Sequence, residues 1–129
     1  MTLVVGFIPN KFGQAALAAG ISEARLRGMK LMVVNATKGD AWVDTHYASE
    51  QKVADIEAEL AGLEHGHEIR QTDGSDIADQ ILDVVQDTDA EVLVIGIRHR
   101  TPVGKLIMGS TAQSLVLNCP CHVLAVKPN

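Results

Sequence analysis

The stretch that decides the fold runs from residue 96 to residue 111 and reads GIRHRTPVGKLIMGST. It follows an apolar strand, VLVI at 92–95, and helical spacing of apolar residues resumes in the segment AQSLV at 112–116. The stretch is therefore predicted to be a long, basic, glycine-containing loop between a buried strand and a helix. In open α/β sheets, anionic ligands bind at such a junction, because the free N–H groups and the dipole of the helix favour negative charge.

The rest of the chain is predicted to alternate strands with helices. Strands are expected at 3–8, 31–35, 67–71, 91–96 and 121–126, and helices at 14–27, at about 44–64, after an N-cap at Ser75, and from about Ser110. Residues 37–45 are expected to form a loop, and Gly28 and Gly66 to end the first two helices. In the last helix, we expect four side chains to point inward: Ala112, Leu115, Val116 and Cys119.

This alternation predicts an α/β fold, a single open five-stranded parallel sheet with helices on both faces. The third strand is short and polar, so it is expected at an edge of the sheet. The first strand is expected at the centre, with the topological switch point between strands 1 and 4. The resulting strand order is 3-2-1-4-5, in one domain that covers residues 1–129.

Composition and charge exclude several classes of protein. With 11 basic and 16 acidic residues the net charge is −5, which argues against a sequence-independent nucleic-acid binder. No apolar run approaches the roughly 20 residues of a membrane span, and the first residues do not resemble a signal peptide. We therefore expect a cytoplasmic protein with no nucleic-acid or membrane partner. Cys119 and Cys121 are expected to be buried free thiols.

The candidate binding groups lie in the basic loop and at the start of the helix after it. Gly96 is expected to leave room for a ligand at the strand end, and Gly109, Ser110 and Thr111 to offer main-chain N–H groups and hydroxyls to an anion. Three cations lie in the same loop: Arg98, Arg100 and Lys105. The alternative interpretation is that Ser110 only caps a helix and that the basic residues form a solvated surface.

The sequence contains no recognisable catalytic or metal motif. It has neither a Walker loop nor the dinucleotide fingerprint nor a G-x-S-x-G elbow, and its five histidines lack metal-ligand spacing. We therefore expect no catalytic residue and no protein-bound metal.

Along its whole length the chain resembles the universal stress protein family. The family motif G-x2-G-x9-G-[ST] is matched by Gly96 and, thirteen positions later, by Gly109-Ser110, and the end of the chain, CPCHVLAVK at 119–127, also resembles the family. Two positions depart from the pattern. His99 replaces the middle glycine and either crowds the phosphates or contacts them, and Ile8 stands where the family commonly has an aspartate near the adenine.

The resemblance implies an adenine nucleotide alpha hydrolase-like fold and a site for ATP or another adenine nucleotide, with Mg²⁺ as a candidate companion ion. It implies that the adenine is lined by Ile8, Pro9 and Asn35 or Ala36, the ribose by Ile95 and Gly96, and the phosphates by His99, Gly109, Ser110 and Thr111. The cations Arg98, Arg100 and Lys105 are added from their charge. The resemblance also implies a homodimer formed through the last strand, Val123 to Val126.

Three functional hypotheses follow. The first is a nucleotide-binding protein that acts in stress response or regulation and is not a fast enzyme. The second is a homodimeric interaction protein of the same family that binds no nucleotide, which the departures at Ile8 and His99 favour. The third is a slow ATP hydrolase, which ranks lowest because no residue can be named that would activate water.

Overall fold

The computed structural model describes residues 1–38, 47–98 and 109–128. Strands and helices alternate through this part of the chain, as the sequence predicts. The elements are β1 (Thr2–Gly6), α1 (Lys11–Arg27), β2 (Lys30–Thr37), α2 (Glu50–Leu60), β3 (His67–Asp73), α3 (Ile77–Asp87), β4 (Val92–Gly96), α4 (Ser110–Asn118) and β5 (His122–Val126).

All five strands form one parallel sheet in the order β3-β2-β1-β4-β5, which confirms the predicted topology. Strand β1 is central, with Val5 paired to Val33 of β2 on one side and to Val94 of β4 on the other. The chain order reverses direction across the sheet between β1 and β4. At such a switch point the connections leave to opposite faces and open a crevice at the carboxyl ends of the strands.

The central strand shows how the sheet divides the core. Leu3 and Val5 of β1 belong to a core cluster with residues of α1 and α2, whereas Val4 belongs to a second cluster with residues of α3 and α4. Successive side chains of a strand point to opposite faces, so an uninterrupted apolar strand must be covered on both sides. Helices α1 and α2 therefore cover one face, and α3 and α4 cover the other.

Helices α1 and α3 differ from the prediction at their N-termini, because other residues than those predicted cap them. Helix α1 begins at Lys11 instead of residue 14, because the Asn10 side chain accepts hydrogen bonds from the N–H groups of Phe12 and Gly13. Helix α3 is capped by Asp76, which accepts from the Asp79 N–H, and not by Ser75. Gly28 ends α1 with a φ of 66°, as predicted.

The second predicted helix is too long at both ends. Ser49 caps α2, the helix begins at Glu50, and it ends at Leu60 before the predicted stop at Gly66. The predicted loop at 37–45 is wrong at Thr37, which is the last residue of β2, and its residues 39–45 lie outside the described part.

Two predictions about buried side chains near the carboxyl terminus need correction. Leu115 is the buried residue of α4, with Ala112 and Cys119 half-buried against the second cluster, but Val116 is 43% exposed. Cys119 and Cys121 are free thiols, as predicted, but they are half-buried. Among the residues described, no helix is long and apolar enough to cross a membrane.

Candidate functional site

A cavity of about 290 Å³ opens at the carboxyl ends of β1 and β4, at the switch point of the sheet. Three helix N-termini contribute to it, from α1, α3 and α4. Its lining is mostly apolar and consists of Gly6, Phe7, Ile8, Asn10, Phe12, Gly13, Ala36, Ile77, Ile81, Ile95, Gly96, Ile97, Arg98, Gly109, Thr111, Ala112 and Leu115.

Close backbone packing closes the α1 side of the cavity. A Cβ on Gly96 would overlap the carbonyl oxygen of Phe12 and lie 2.7 Å from its carbonyl carbon. A Cβ on Gly13 would overlap the carbonyl oxygen of Ile8. Because Gly96 at the end of β4 has no Cβ, the first turn of α1 can pack directly against it. Gly96 also lines the cavity, so the prediction that a ligand packs against this strand end stays a prediction.

The α4 side of the cavity is built differently. Gly109 occupies the N-cap position with a φ of −64°, and no side chain of residues 1–38, 47–98 or 109–128 caps the helix. The first intrahelical bond runs from the Gln113 N–H to the Gly109 carbonyl, so the N–H groups of residues 110–112 precede the helical ladder. Among the described residues, nothing lies within 4 Å of a Cβ built on Gly109. Among the described residues this N-terminus is therefore uncapped, whereas Asn10, Ser49 and Asp76 cap the other three helices.

The alternative interpretation of Ser110 as a simple cap is not supported, because Ser110 is the first residue of α4 and Gly109 is its N-cap. The only described residue of the predicted cation trio, Arg98, is exposed at the cavity.

The cavity brings together most of the site residues predicted from sequence that the structure describes. Seven of them line it: Ile8, Ala36, Ile95, Gly96, Arg98, Gly109 and Thr111. Pro9, Asn35 and Ser110 are close to these in the chain but are not lining residues. His99, Arg100 and Lys105 lie outside the described residues.

Asn35 is buried and positions the chain beneath the cavity. Its Nδ2 donates to the Phe7 carbonyl over 2.9 Å, and its Oδ1 accepts from the Ala48 N–H over 2.6 Å and from Gln71 Nε2 over 3.1 Å. Gln71 Nε2 also donates to the Ala48 carbonyl. The side-chain amide of Asn35 thus connects the end of β1 and the segment before α2 to the sheet by hydrogen bonds.

Several cavity residues are not among those predicted from the sequence. Phe12 lies before residue 14, where the first helix is predicted to begin, and none of Ile77, Ile81 and Leu115 is predicted as a ligand contact. The available signal was the apolar residue at the start of each helix that follows a strand, since the N-termini of these helices converge at the carboxyl edge of a parallel sheet.

The arrangement suits a ligand with an apolar, flat part and an anionic part. Isoleucines from α3 and β4 and Leu115 of α4 offer an apolar wall. The first amides of α4, uncapped among the described residues, offer donors to an anion. In the described part of the chain, no three His, Cys, Asp or Glu residues are grouped to hold a metal ion.

Comparison with known proteins agrees with this geometry. The model of the universal stress protein family matches residues 1–127. A universal stress protein of Mycolicibacterium smegmatis is 51% identical over 127 residues, which cover 98% of both chains. A universal stress protein of Mycobacterium tuberculosis is 32% identical over 99% of this chain, and the chain spans about half of that relative's length.

Solved structures show the same fold. A universal stress protein from Archaeoglobus fulgidus superposes with a TM-score of 0.81 at 28% identity, over 98% of both chains. A universal stress protein from the same organism in complex with dAMP superposes with a TM-score of 0.60 at 23% identity, again over 98% of both chains. Since the family model spans nearly the whole sequence, the chain belongs to the universal stress protein family.

Proposed function

We propose that this protein binds an adenine nucleotide in the cavity between β1 and β4 and acts as a nucleotide-dependent protein of stress response or regulation. One observation carries the proposal: in the described part of the chain the N-terminus of α4 has no side-chain cap, and it adjoins an apolar cavity at the switch point. The dAMP complex of the Archaeoglobus fulgidus relative adds support from the family.

In this proposal the base lies against the apolar wall, near Ile8 and Ala36, and the ribose lies near Ile95 and Gly96. The phosphates lie at the N-terminus of α4, where Ser110 and Thr111 supply N–H groups and hydroxyls. Arg98 adds a cation at the mouth, and we keep His99, Arg100 and Lys105 as further proposed phosphate contacts. Pro9 and Asn35 support the base side, Asn35 through its bond to the Phe7 carbonyl.

The size of the cavity bears on which part of the nucleotide is enclosed. About 290 Å³ is near the lower end of the range for small-molecule sites, roughly 300–1,000 Å³. The base and ribose fill a space of that order, which leaves the phosphates at the mouth beside α4. We propose that the protein works as a binding module, with ATP hydrolysis no faster than a slow side reaction, and that its setting is the cytoplasm.

Calorimetric titration with ATP, ADP and AMP, each with and without Mg²⁺, tests the proposal directly. Binding of at least one nucleotide is expected, and no heat at millimolar concentrations of all three would refute it. Phosphate release measured on the same samples separates a binding protein from a hydrolase. Nucleotide that remains on gently purified protein, detected by mass spectrometry, would independently favour binding over a nucleotide-free interaction protein.

Gly109→Val is the sharpest variant, because the added side chain points into space that the described residues leave open. It should obstruct phosphate access to the amides while the helix still forms. Loss of one charged hydrogen bond, about 1.5–3 kcal/mol, corresponds to roughly 10- to 150-fold weaker binding. Gly62→Val is the matched control, since Gly62 is also unobstructed among the described residues and is absent from the cavity lining. Equal affinity in both variants would place the site elsewhere.

We also propose a homodimer formed through β5, Val123 to Val126, because β5 is an edge of the sheet that the described strands form. The carbonyl of Val126 accepts from the Ile97 N–H, so in a regular strand the neighbouring Ala125 N–H points outward. Ala125→Pro should therefore remove a donor from the free edge and spare the bonds between β4 and β5. Light scattering after gel filtration should show dimers for the parent protein and monomers for the variant. A monomeric parent protein would contradict the proposal.

A further inference from the structure

Two cysteine thiols lie at the opposite end of α4 from the cavity. Cys119 is the C-cap residue of α4, and Cys121 immediately precedes β5. Their Sγ atoms are 3.5 Å apart, and both thiols are free. A helix the length of α4 spans about 13 Å, so this thiol pair is separate from the proposed nucleotide site.

The local sequence explains why the two thiols face the same way. Cys119 has a φ of −68° and a ψ of 129°, the extended conformation that a following proline favours. In an extended segment, residues two apart point to the same side. Pro120 then restricts the backbone between them. Together with Val123, both cysteines pack against the second core cluster, which holds the pair in position.

The thiol pair is accessible from solvent. Both cysteines are half-buried, and an open groove beside Cys121 is lined by Ala90, Glu91, Pro120 and His122. A small reagent can therefore enter the groove beside Cys121, and Cys119 Sγ lies 3.5 Å from Cys121 Sγ.

The distance between the sulfur atoms limits which metal or metalloid atom can bond to both of them. If each bond to sulfur is about 2.3 Å long, as in zinc thiolates, a separation of 3.5 Å corresponds to an S–centre–S angle of roughly 100°. A pyramidal trivalent arsenic centre has angles of this kind, whereas an ion that prefers linear coordination needs the sulfur atoms farther apart. We propose that Cys119 and Cys121 form a bidentate site for trivalent organic arsenicals.

The reaction of such an arsenoxide with the pair is a condensation without change of oxidation state. Each thiol loses its proton and forms one As–S bond, both bonds from arsenic to the oxide oxygen break, and that oxygen leaves as one molecule of water. The product is a cyclic dithioarsenite that spans the two cysteines. No oxidant or reductant takes part.

The protonation of the thiols adds a second distinguishing property. Burial, and then the hydrogen bond with Cys119, raises the pKa of Cys121 to about 12. Cys121 therefore remains a thiol at neutral pH and should react slowly with alkylating agents that need a thiolate. Chelation does not depend on a stable thiolate, because both protons leave with the oxide oxygen.

Phenylarsine oxide is the probe, and mass spectrometry of the intact folded protein counts the adducts. We expect one arsenical per chain, loss of two titratable thiols, resistance to excess 2-mercaptoethanol and release by 2,3-dimercaptopropanol. The single variants Cys119→Ser and Cys121→Ser retain one thiol each, so they should bind roughly 10²- to 10⁴-fold more weakly.

Two arsenicals per chain, or equal affinity in the parent protein and the single variants, would overturn the proposal. If the variants fail to fold, the proposal is tested on the parent protein alone, by comparing its folded and unfolded states. Folded protein should then bind the probe more tightly than protein unfolded in urea, because the fold holds the thiols in place. Equal or weaker binding by the folded chain would contradict the proposal.

Discussion

Gly96→Ala is expected to destabilise the protein, because the new methyl group would meet backbone and not a flexible side chain. The Cβ would overlap the Phe12 carbonyl oxygen and lie 2.7 Å and 3.0 Å from the carbonyl carbon and Cα of the same residue. Neither β4 nor the first turn of α1 can yield without loss of packing at the centre of the sheet. Overpacking of this kind costs about 1–3 kcal/mol.

Gly6→Ala is the matched control for this experiment. Gly6 ends the adjacent central strand and also lines the cavity, but its Cβ would lie 3.5 Å from Ile95 Cγ2 and 3.6 Å from Ile81 Cδ1, which is ordinary contact distance. Alanine is compatible with this site, so the loss of freedom in the unfolded chain should leave stability unchanged or raise it by about 0.4–1 kcal/mol.

Urea unfolding of the two variants and the parent protein measures the difference. With a slope of about 2 kcal/mol/M, a loss of 2 kcal/mol lowers the midpoint by about 1 M. The slope itself should not change, since the surface exposed on unfolding is the same. Two results would refute this reasoning: Gly96→Ala unfolds at the midpoint of the parent protein, or Gly6→Ala loses as much stability as Gly96→Ala. In either case the close approach of β4 to α1 would not explain why residue 96 is glycine.

Two further predictions concern other parts of the fold. Asn35→Ala leaves the Phe7 carbonyl and the Ala48 N–H without their partner and should cost about 2 kcal/mol or more in urea unfolding, whereas Asn118→Ala, whose amide is exposed on α4, should cost under about 0.5 kcal/mol. Because the pKa of Cys121 is raised from 9.0 to about 12, its contribution to stability is complete below pH 9 and is lost as the pH rises toward 12. The drop in melting temperature across that interval should be smaller in Cys121→Ser than in the parent protein, and an equal drop would contradict the assignment.

The sequence by itself determined the topology of the sheet. The first, second and fourth strands each contain a continuous apolar run, which a sheet covered on both faces accommodates, and the polar third strand is suited to an edge. These preferences depend on a few neighbouring residues, so they can be read from the chain. The same locality explains the wrong helix starts, because Ser75 and Asp76 are both good caps and only the packed structure selects one.

Tertiary structure alone decided how the cavity is built. Gly96 and Gly109 look alike in the family motif, yet Gly96 packs against the backbone of Phe12 while Gly109 faces open space among the described residues. Ile77 and Ile81 line the same cavity as Ile8, from an element about seventy residues away in the chain. Such convergence depends on strand order and on the packing of helices over the sheet. No short-range pattern encodes it, since the residues that meet are far apart in sequence.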